Sequence, residues 1–235
     1  CLDFASLYPS IMRAMNMSYE TLCDRTKIEQ HNWQQDVDVR TIPDYEMIDG
    51  VLQTTIDLNN PSFITKEKRL GLLPEILQKV LAERKAVKKK MKQETPHSTM
   101  YKVYDGRQLG LKVVANSVYG FTGATHGILP CKTIAESVTK FGRGMILQTK
   151  SMVENHPVWG RGGHNATCIY GDTDSVFVKV PRSLVNGAND EDLIKNAHAF
   201  GEVMANKITD IFLAPNELEY EKSYKTFLLL CKKRY

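Results

Sequence analysis

Asp172 and Asp174 stand two residues apart in Ala166-Thr-Cys-Ile-Tyr170-Gly-Asp172-Thr-Asp174-Ser-Val-Phe-Val-Lys-Val180. The apolar, β-branched runs on either side predict a β-hairpin with the acids at its tip. In extended chain both carboxylates leave the same face. No Lys or Arg lies between Gly162 and Val178, so two ionised carboxylates there repel unless a cation sits between them. A solvated Gly-Asp turn accounts for the same residues equally well. A third acid, Asp3, falls inside the apolar run Cys1-Leu-Asp-Phe-Ala5. Burying a carboxylate among apolar strand residues is costly unless it is paired or liganded; the alternative is a capping or loop role.

Groups suited to an anion lie elsewhere. Ser6-Leu-Tyr8 precedes Pro9 and the helical pattern Ser10-Ile-Met-Arg-Ala-Met-Asn16. With Pro9 as first helical residue, Ser6 to Tyr8 form the turn into a helix N-terminus, where free backbone amides suit a phosphate. Arg84 and Lys88, four residues apart, can grip one anion jointly. Lys112, Asn116 and Tyr119 share one helix face. Each of these lysines also reads as an ordinary solvated one.

The elements that must position these groups follow from periodicity. Leu72 to Gln93 is a helix with the apolar stripe Leu73, Ile76, Leu77, Val80, Val87 and Met91. Tyr101 to Tyr119 is a second helix, ended by Gly120 and followed by a loop from Thr122 to Pro130. The pair predicts a helical hairpin. Ile134 to Glu154 and Asp190 to Phe212 are further helices, the latter with Asp190 and Glu191 at its N-terminus. Glu217 to Glu221 and Lys225 to Cys231 read as strands. Tyr19 to Lys68 reads as strands and loops pinned by Trp33, Ile42, Val51 and Phe63. Strands that carry Asp3, Asp172 and Asp174 to one sheet would gather them around one or two divalent cations. Oxygen-only ligands point to Mg²⁺. Two such ions facing cationic clamps are the apparatus of phosphoryl transfer.

Composition sets the outer limits. The 235 residues are 42% hydrophobic and 25% charged, ordinary for a globular protein of one large or two small domains. The net charge is only +4, but seven Lys or Arg fall between Lys79 and Lys92, a local hint of an anionic partner. Five scattered cysteines without a CxxC pair suit a reducing compartment better than a disulfide framework or a zinc site. No apolar run reaches the roughly 20 residues of a membrane span. The chain opens and stops inside predicted strands, which predicts a piece of a longer polypeptide.

Five segments, in order, resemble the motifs of family B DNA polymerases. Asp3-Phe-Ala-Ser-Leu-Tyr-Pro-Ser10 resembles the first palm motif. Lys112-Val-Val-Ala-Asn-Ser-Val-Tyr-Gly120 resembles the fingers motif, and Tyr170-Gly-Asp-Thr-Asp-Ser175 the second palm motif. Glu219-Tyr-Glu-Lys and Lys232-Lys-Arg-Tyr235 resemble later segments. Leu72-Leu-Pro-Glu-Ile-Leu, Tyr119-Gly-Phe-Thr-Gly and Leu129-Pro-Cys131 are most similar to the delta-type enzymes of eukaryotes and large DNA viruses. The resemblance implies an α+β fold: an antiparallel-sheet palm covered by helices (residues 1–70 and 123–235) with an inserted two-helix fingers hairpin (71–122). It implies that Asp3 and Asp174 bind two Mg²⁺ ions, with Asp172, the Phe4 carbonyl and Glu221 beside them. Ser6, Leu7, Tyr8, Arg84, Lys88 and Lys112 would bind the nucleotide triphosphate and sugar, with Tyr8 excluding ribonucleotides. Asn116 and Tyr119 would line the base-pair pocket, and Gly120, Lys232, Lys233, Arg234 and Tyr235 would contact DNA. The implied partners are primer-template DNA, deoxynucleoside triphosphates, and a sliding clamp or accessory subunits bound elsewhere in the longer protein. The implied location is a eukaryotic nucleus or a viral replication site. An exonuclease domain before the first motif and a thumb after the last are expected outside this chain.

Overall fold

Leu2 and Phe4 are buried and Asp3 between them only half so, the alternation of a strand with one covered face. The computed structural model describes residues 1–57, 59–187 and 189–234. The chain begins with β1 (Leu2–Phe4), α1 (Leu7–Ala14), β2 (Leu22–Cys23), α2 (Arg25–His31) and β3 (Val39–Thr41). Next come β4 (Asp44–Ile48), β5 (Val51–Thr55), β6 (Ser62–Ile64), α3 (Leu72–Met91), α4 (Thr99–Gly123) and α5 (Lys132–Asn155). The last elements are β7 (Thr167–Asp172), β8 (Ser175–Lys179), α6 (Asp190–Thr209) and β9 (Leu218–Tyr220). Among the described residues, helices with three small antiparallel sheets make this an α+β protein, as expected.

The chain divides into two compact units. The first comprises residues 1–7, 43–55 and 140–235. Its sheet runs β7-β8-β1-β9, antiparallel throughout. One face is covered by helices: Phe4 meets Phe212 just past α6 edge-on at 5.3 Å, Tyr220 lies over Gly201 of α6, and Gly171 faces Ile146 of α5. The β4–β5 hairpin rests on α5, with Tyr45 against Gly144 and Phe141.

The second unit comprises residues 8–42 and 56–139. Its sheet β2-β6-β3 buries Cys23, Val39 and Ile64, sealed by Ile28 and Trp33. The segment from Tyr19 to Lys68, expected as strands and loops, thus also contains the helix α2, capped by Asp24 and closed by Asn32 in left-handed conformation. α3 and α4 pack together across a short turn. Two side-chain bonds cross between them, from Arg84 to Gln108 and from Arg107 to Glu83. On α4 the partly or fully buried positions Tyr101, Tyr104, Gln108, Leu111, Ala115 and Val118 recur every three or four residues, the seam of a coiled-coil-like pair.

Several boundaries differ from expectation; α6, for one, ends at Thr209 and not at Phe212. α1 begins at Leu7, not Pro9; a proline in the first turn sacrifices no helical hydrogen bond, so it marks a start only to within a turn. α4 runs through Gly120 to Gly123, because a single glycine costs a helix only about 1 kcal/mol and packing on α3 outweighs it. Lys225 to Cys231 is not a strand, and only a lone bridge joins Cys231 to Arg234. Leu228 and Leu230 there are 68% and 74% exposed; β propensity without a covering surface does not make a strand.

Candidate active site

The register of the first unit's sheet brings the acids together. Asp172 pairs with Ser175, Ser175 with Asp3, and Asp3 with Glu219. Directly opposed residues of antiparallel strands share a face, so Asp172, Ser175, Asp3 and Glu219 form one row across all four strands. It lies on the face opposite the one that α5 and α6 cover. Adjacent strands are about 4.8 Å apart, which puts the Asp172 and Asp3 backbones on the order of 10 Å apart. The two-residue turn Thr173-Asp174 closes the β7–β8 hairpin, with Thr173 at φ 48°. The Asp174 carbonyl accepts from the Phe4 amide at 2.8 Å. The hairpin tip is therefore stapled to the residue after Asp3.

One part of the expectation changes. Asp172 and Asp174 do not share a face as alternate residues of one strand, because the chain reverses between them and Asp174 lies in the turn. They are neighbours through the turn itself, where the Asp174 amide donates to the Asp172 carbonyl at 2.5 Å.

Asp3, Asp172 and Asp174 are all half-buried. Lys233 is placed on this site: its ammonium lies 3.0 Å from the Asp172 carboxylate and its amide donates to the Tyr170 hydroxyl at 2.9 Å. The hydrogen bond and charge of Asp172 hold the Lys233 ammonium above its usual range. Glu221 lies two residues beyond Glu219 on exposed chain and pairs with Lys222 at 3.0 Å. Lys232 and Arg234 are exposed in the same terminal turn; Tyr235 lies outside the described residues.

The remaining candidates divide between the units. Ser6 takes φ 50° and Leu7 opens α1. In the second unit Tyr8 packs against Tyr119, ring centroids 4.4 Å apart and planes tilted by 38°, and burial raises the Tyr119 hydroxyl above its usual pKa. Lys112 and Asn116 are exposed on the same flank of α4, away from the α3 seam. Gly120 faces open space. Arg84 turns onto α4, its guanidinium donating to the Gln108 side-chain oxygen at 3.3 Å, while Lys88 one turn on is exposed.

The donor set fits a hard divalent cation: carboxylates, a serine hydroxyl and backbone carbonyls, with no thiolate or imidazole in the row. Among the described residues no three acidic, histidine or cysteine side chains form a closed metal cage. Mg²⁺ does not need one, since it keeps waters and takes further oxygens from a substrate phosphate.

The model of DNA polymerase family B matches residues 1–235. The chain belongs to DNA polymerase family B. Among family B relatives, the DNA polymerase delta catalytic subunit of Schizosaccharomyces pombe is 45% identical over 235 residues, all of this chain and 19% of the relative. Those of Drosophila melanogaster and Oryza sativa are each 44% identical, again over all of this chain and 20% and 19% of their own length. The chain thus spans about a fifth of the length of these relatives. Among the described residues no helix is long and apolar enough to cross a membrane.

Two residues in the acidic row, Ser175 and Glu219, carry no role that local sequence pattern assigns. The alternation Glu217-Leu-Glu-Tyr-Glu221 already set three acids on one strand face, but only the register puts Glu219 opposite Asp3.

Proposed function

We propose that this chain is the catalytic palm and fingers portion of a DNA-directed DNA polymerase of the delta type, acting in replication in a eukaryotic nucleus. The observation that carries the proposal is the acidic row, with Asp3 and the hairpin tip joined by the bond from the Phe4 amide to the Asp174 carbonyl. Family membership and the similarity to delta catalytic subunits support it. The sheet of the first unit would be the palm and the α3–α4 hairpin the fingers, with boundaries near residues 70 and 122.

In this reading Asp3 and Asp174 hold two Mg²⁺ ions, with Asp172, the Phe4 carbonyl and Glu221 as nearby oxygen donors. When bound, the ions activate the primer 3′-oxygen and stabilise the pyrophosphate leaving group. The backbone amides from Ser6 to Tyr8, with Arg84, Lys88 and Lys112, hold the triphosphate by charge-assisted hydrogen bonds. Tyr8 lies under the deoxyribose, where a 2′-hydroxyl would clash. Its ring is braced by Tyr119, and a rigid gate discriminates better than a mobile one. Asn116 and Tyr119 line the nascent base pair. Gly120, Lys232, Lys233, Arg234 and Tyr235 contact the primer-template, Lys233 exchanging its bond to Asp172 for one to DNA. Accessory subunits or a sliding clamp would bind the longer protein elsewhere.

A thermal melt tests this. Mg²⁺ with a deoxynucleoside triphosphate at about 100 times its dissociation constant should stabilise the chain by about 2.7 kcal/mol. Asp174→Asn should abolish that shift while leaving the ligand-free melt nearly unchanged. An equal shift in parent and variant would sink the proposal.

A further inference from the structure

β7 is not in one register along its length. Thr167 pairs with Lys179 and Cys168 with Val178, but the next pairing joins Tyr170 to Phe177 and leaves Ile169 as an extra residue. This is a β-bulge, and Ile169 is 46% exposed. The extra residue inverts the alternation of faces. Cys168, opposite Val178, turns to the helix-covered side, whereas Tyr170 and Asp172, opposite Phe177 and Ser175, turn to the acidic side. Without the bulge, Cys168, Tyr170 and Asp172 would all share one face. Either Cys168 would leave the helix-covered side or Asp172 would leave the row with Asp3.

A bulge interrupts the ladder and needs an anchor. Glu154, in the last turn of α5, provides one. Its side chain is 8% exposed, and one carboxylate oxygen accepts from the Cys168 amide at 3.2 Å, at the residue where the register breaks. The other lies 3.3 Å from the Arg161 guanidinium, and the Arg161 amide donates to the Glu154 carbonyl at 2.7 Å. Burial, then the nearby Glu154 charge, push the Cys168 thiol up to about 12, so the thiol stays neutral and brings no second negative charge to the anchor.

We propose that Glu154 is a positioning residue for Asp172: by holding the Cys168 amide at the bulge, it sets the register that keeps Asp172 in line with Asp3. The proposal rests on the reading of Asp172 as part of the metal site. It makes no contact between Glu154 and the metal necessary.

The test uses Mn²⁺ as a paramagnetic probe, titrated against the 235-residue chain, beside hydrogen exchange of the Cys168–Ser175 amides. Glu154→Ala should weaken Mn²⁺ binding by about tenfold or more, as loss of an outer-shell support does, and speed exchange at the hairpin. Glu154→Gln, which keeps an acceptor for the Cys168 amide, should restore most of both. If Glu154→Ala does not fold, the double variant Glu154→Leu/Arg161→Leu fills the space with apolar side chains and leaves no unpaired guanidinium, and should show the same two losses. Unchanged Mn²⁺ affinity and unchanged hairpin exchange in whichever of these variants folds would overturn the proposal. Asp172→Asn is the control. If it too leaves Mn²⁺ binding intact, the metal reading of Asp172 fails, and the exchange data alone then decide whether Glu154 holds the bulge.

Discussion

Asn16 shows how much one side chain can organise. It is fully buried with φ 53°, a conformation asparagine tolerates better than most residues. Its amide nitrogen donates to the Ile64 and Arg69 carbonyls at 2.7 and 2.8 Å, and its oxygen accepts from the Gly71 amide at 2.9 Å. All three partners are backbone groups. Asn16→Ala should therefore cost on the order of 2–4 kcal/mol, since each buried group left unpaired costs about 1–3 kcal/mol. Urea unfolding measures it, and a loss below about 1 kcal/mol would show that the groups find other partners. Gly71 completes the arrangement: a Cβ there would lie 2.8 Å from the Ser18 Cβ and 3.2 Å from the Asn16 side-chain oxygen. Gly71→Ala is expected to destabilise by about 1–3 kcal/mol through overpacking.

At the scale of elements, the question is what holds the α3–α4 hairpin at its base. Gly71 offers α3 no side-chain cap. The Leu72 amide donates instead to Glu20 and the Leu73 amide to the Ser18 hydroxyl at 3.3 Å. The cap is thus supplied from 52 and 55 residues away in sequence, by the turn that follows α1. Burial pushes the Glu20 carboxyl up, but the Leu72 amide and Ser18 hydroxyl, with Arg69 nearby, outweigh it and hold the pKa below its ordinary value of 4.5. A lowered folded pKa means that stability is fully present above about pH 4.5 and fades as pH falls through the folded value. Glu20→Ala should cost about 1 kcal/mol near neutrality, and its gap from the parent should close on acidification. A gap that is constant from about pH 6 to pH 3 would contradict the ionised cap. Further along the hairpin, Leu77 is fully buried, and Leu77→Ala should cost about 2–5 kcal/mol.

At the scale of the whole molecule, charge is distributed unevenly for a net of only +4. Acids collect in one row of the first unit's sheet, while exposed Lys232 and Arg234 stand in the terminal turn whose Lys233 reaches Asp172. If that turn grips the DNA backbone, replacing Lys232 and Arg234 by Ala should lower the slope of log affinity against log salt by about 2. Fluorescence anisotropy on duplex with a recessed 3′ end measures it; an unchanged slope would place the contacts elsewhere. Much of this molecule was legible in the sequence. The four long helices follow from apolar stripes that a helix displays within a few turns, Asp3 stands out by its cost in an apolar run, and Asp172 and Asp174 by their closeness with no Lys or Arg beside them. What local pattern does not carry is register. That Asp3 lies opposite Ser175 and Glu219, that Ile169 bulges out so that Asp172 joins the row, and that Asn16 and Glu20 cap a helix starting at Leu72 are all pairings between distant segments. The residue types of one segment set which face is apolar and which groups can bond. Only packing of the chain against itself selects the partner, because sheet register and buried polar contacts are satisfied, or left costly, in three dimensions at once.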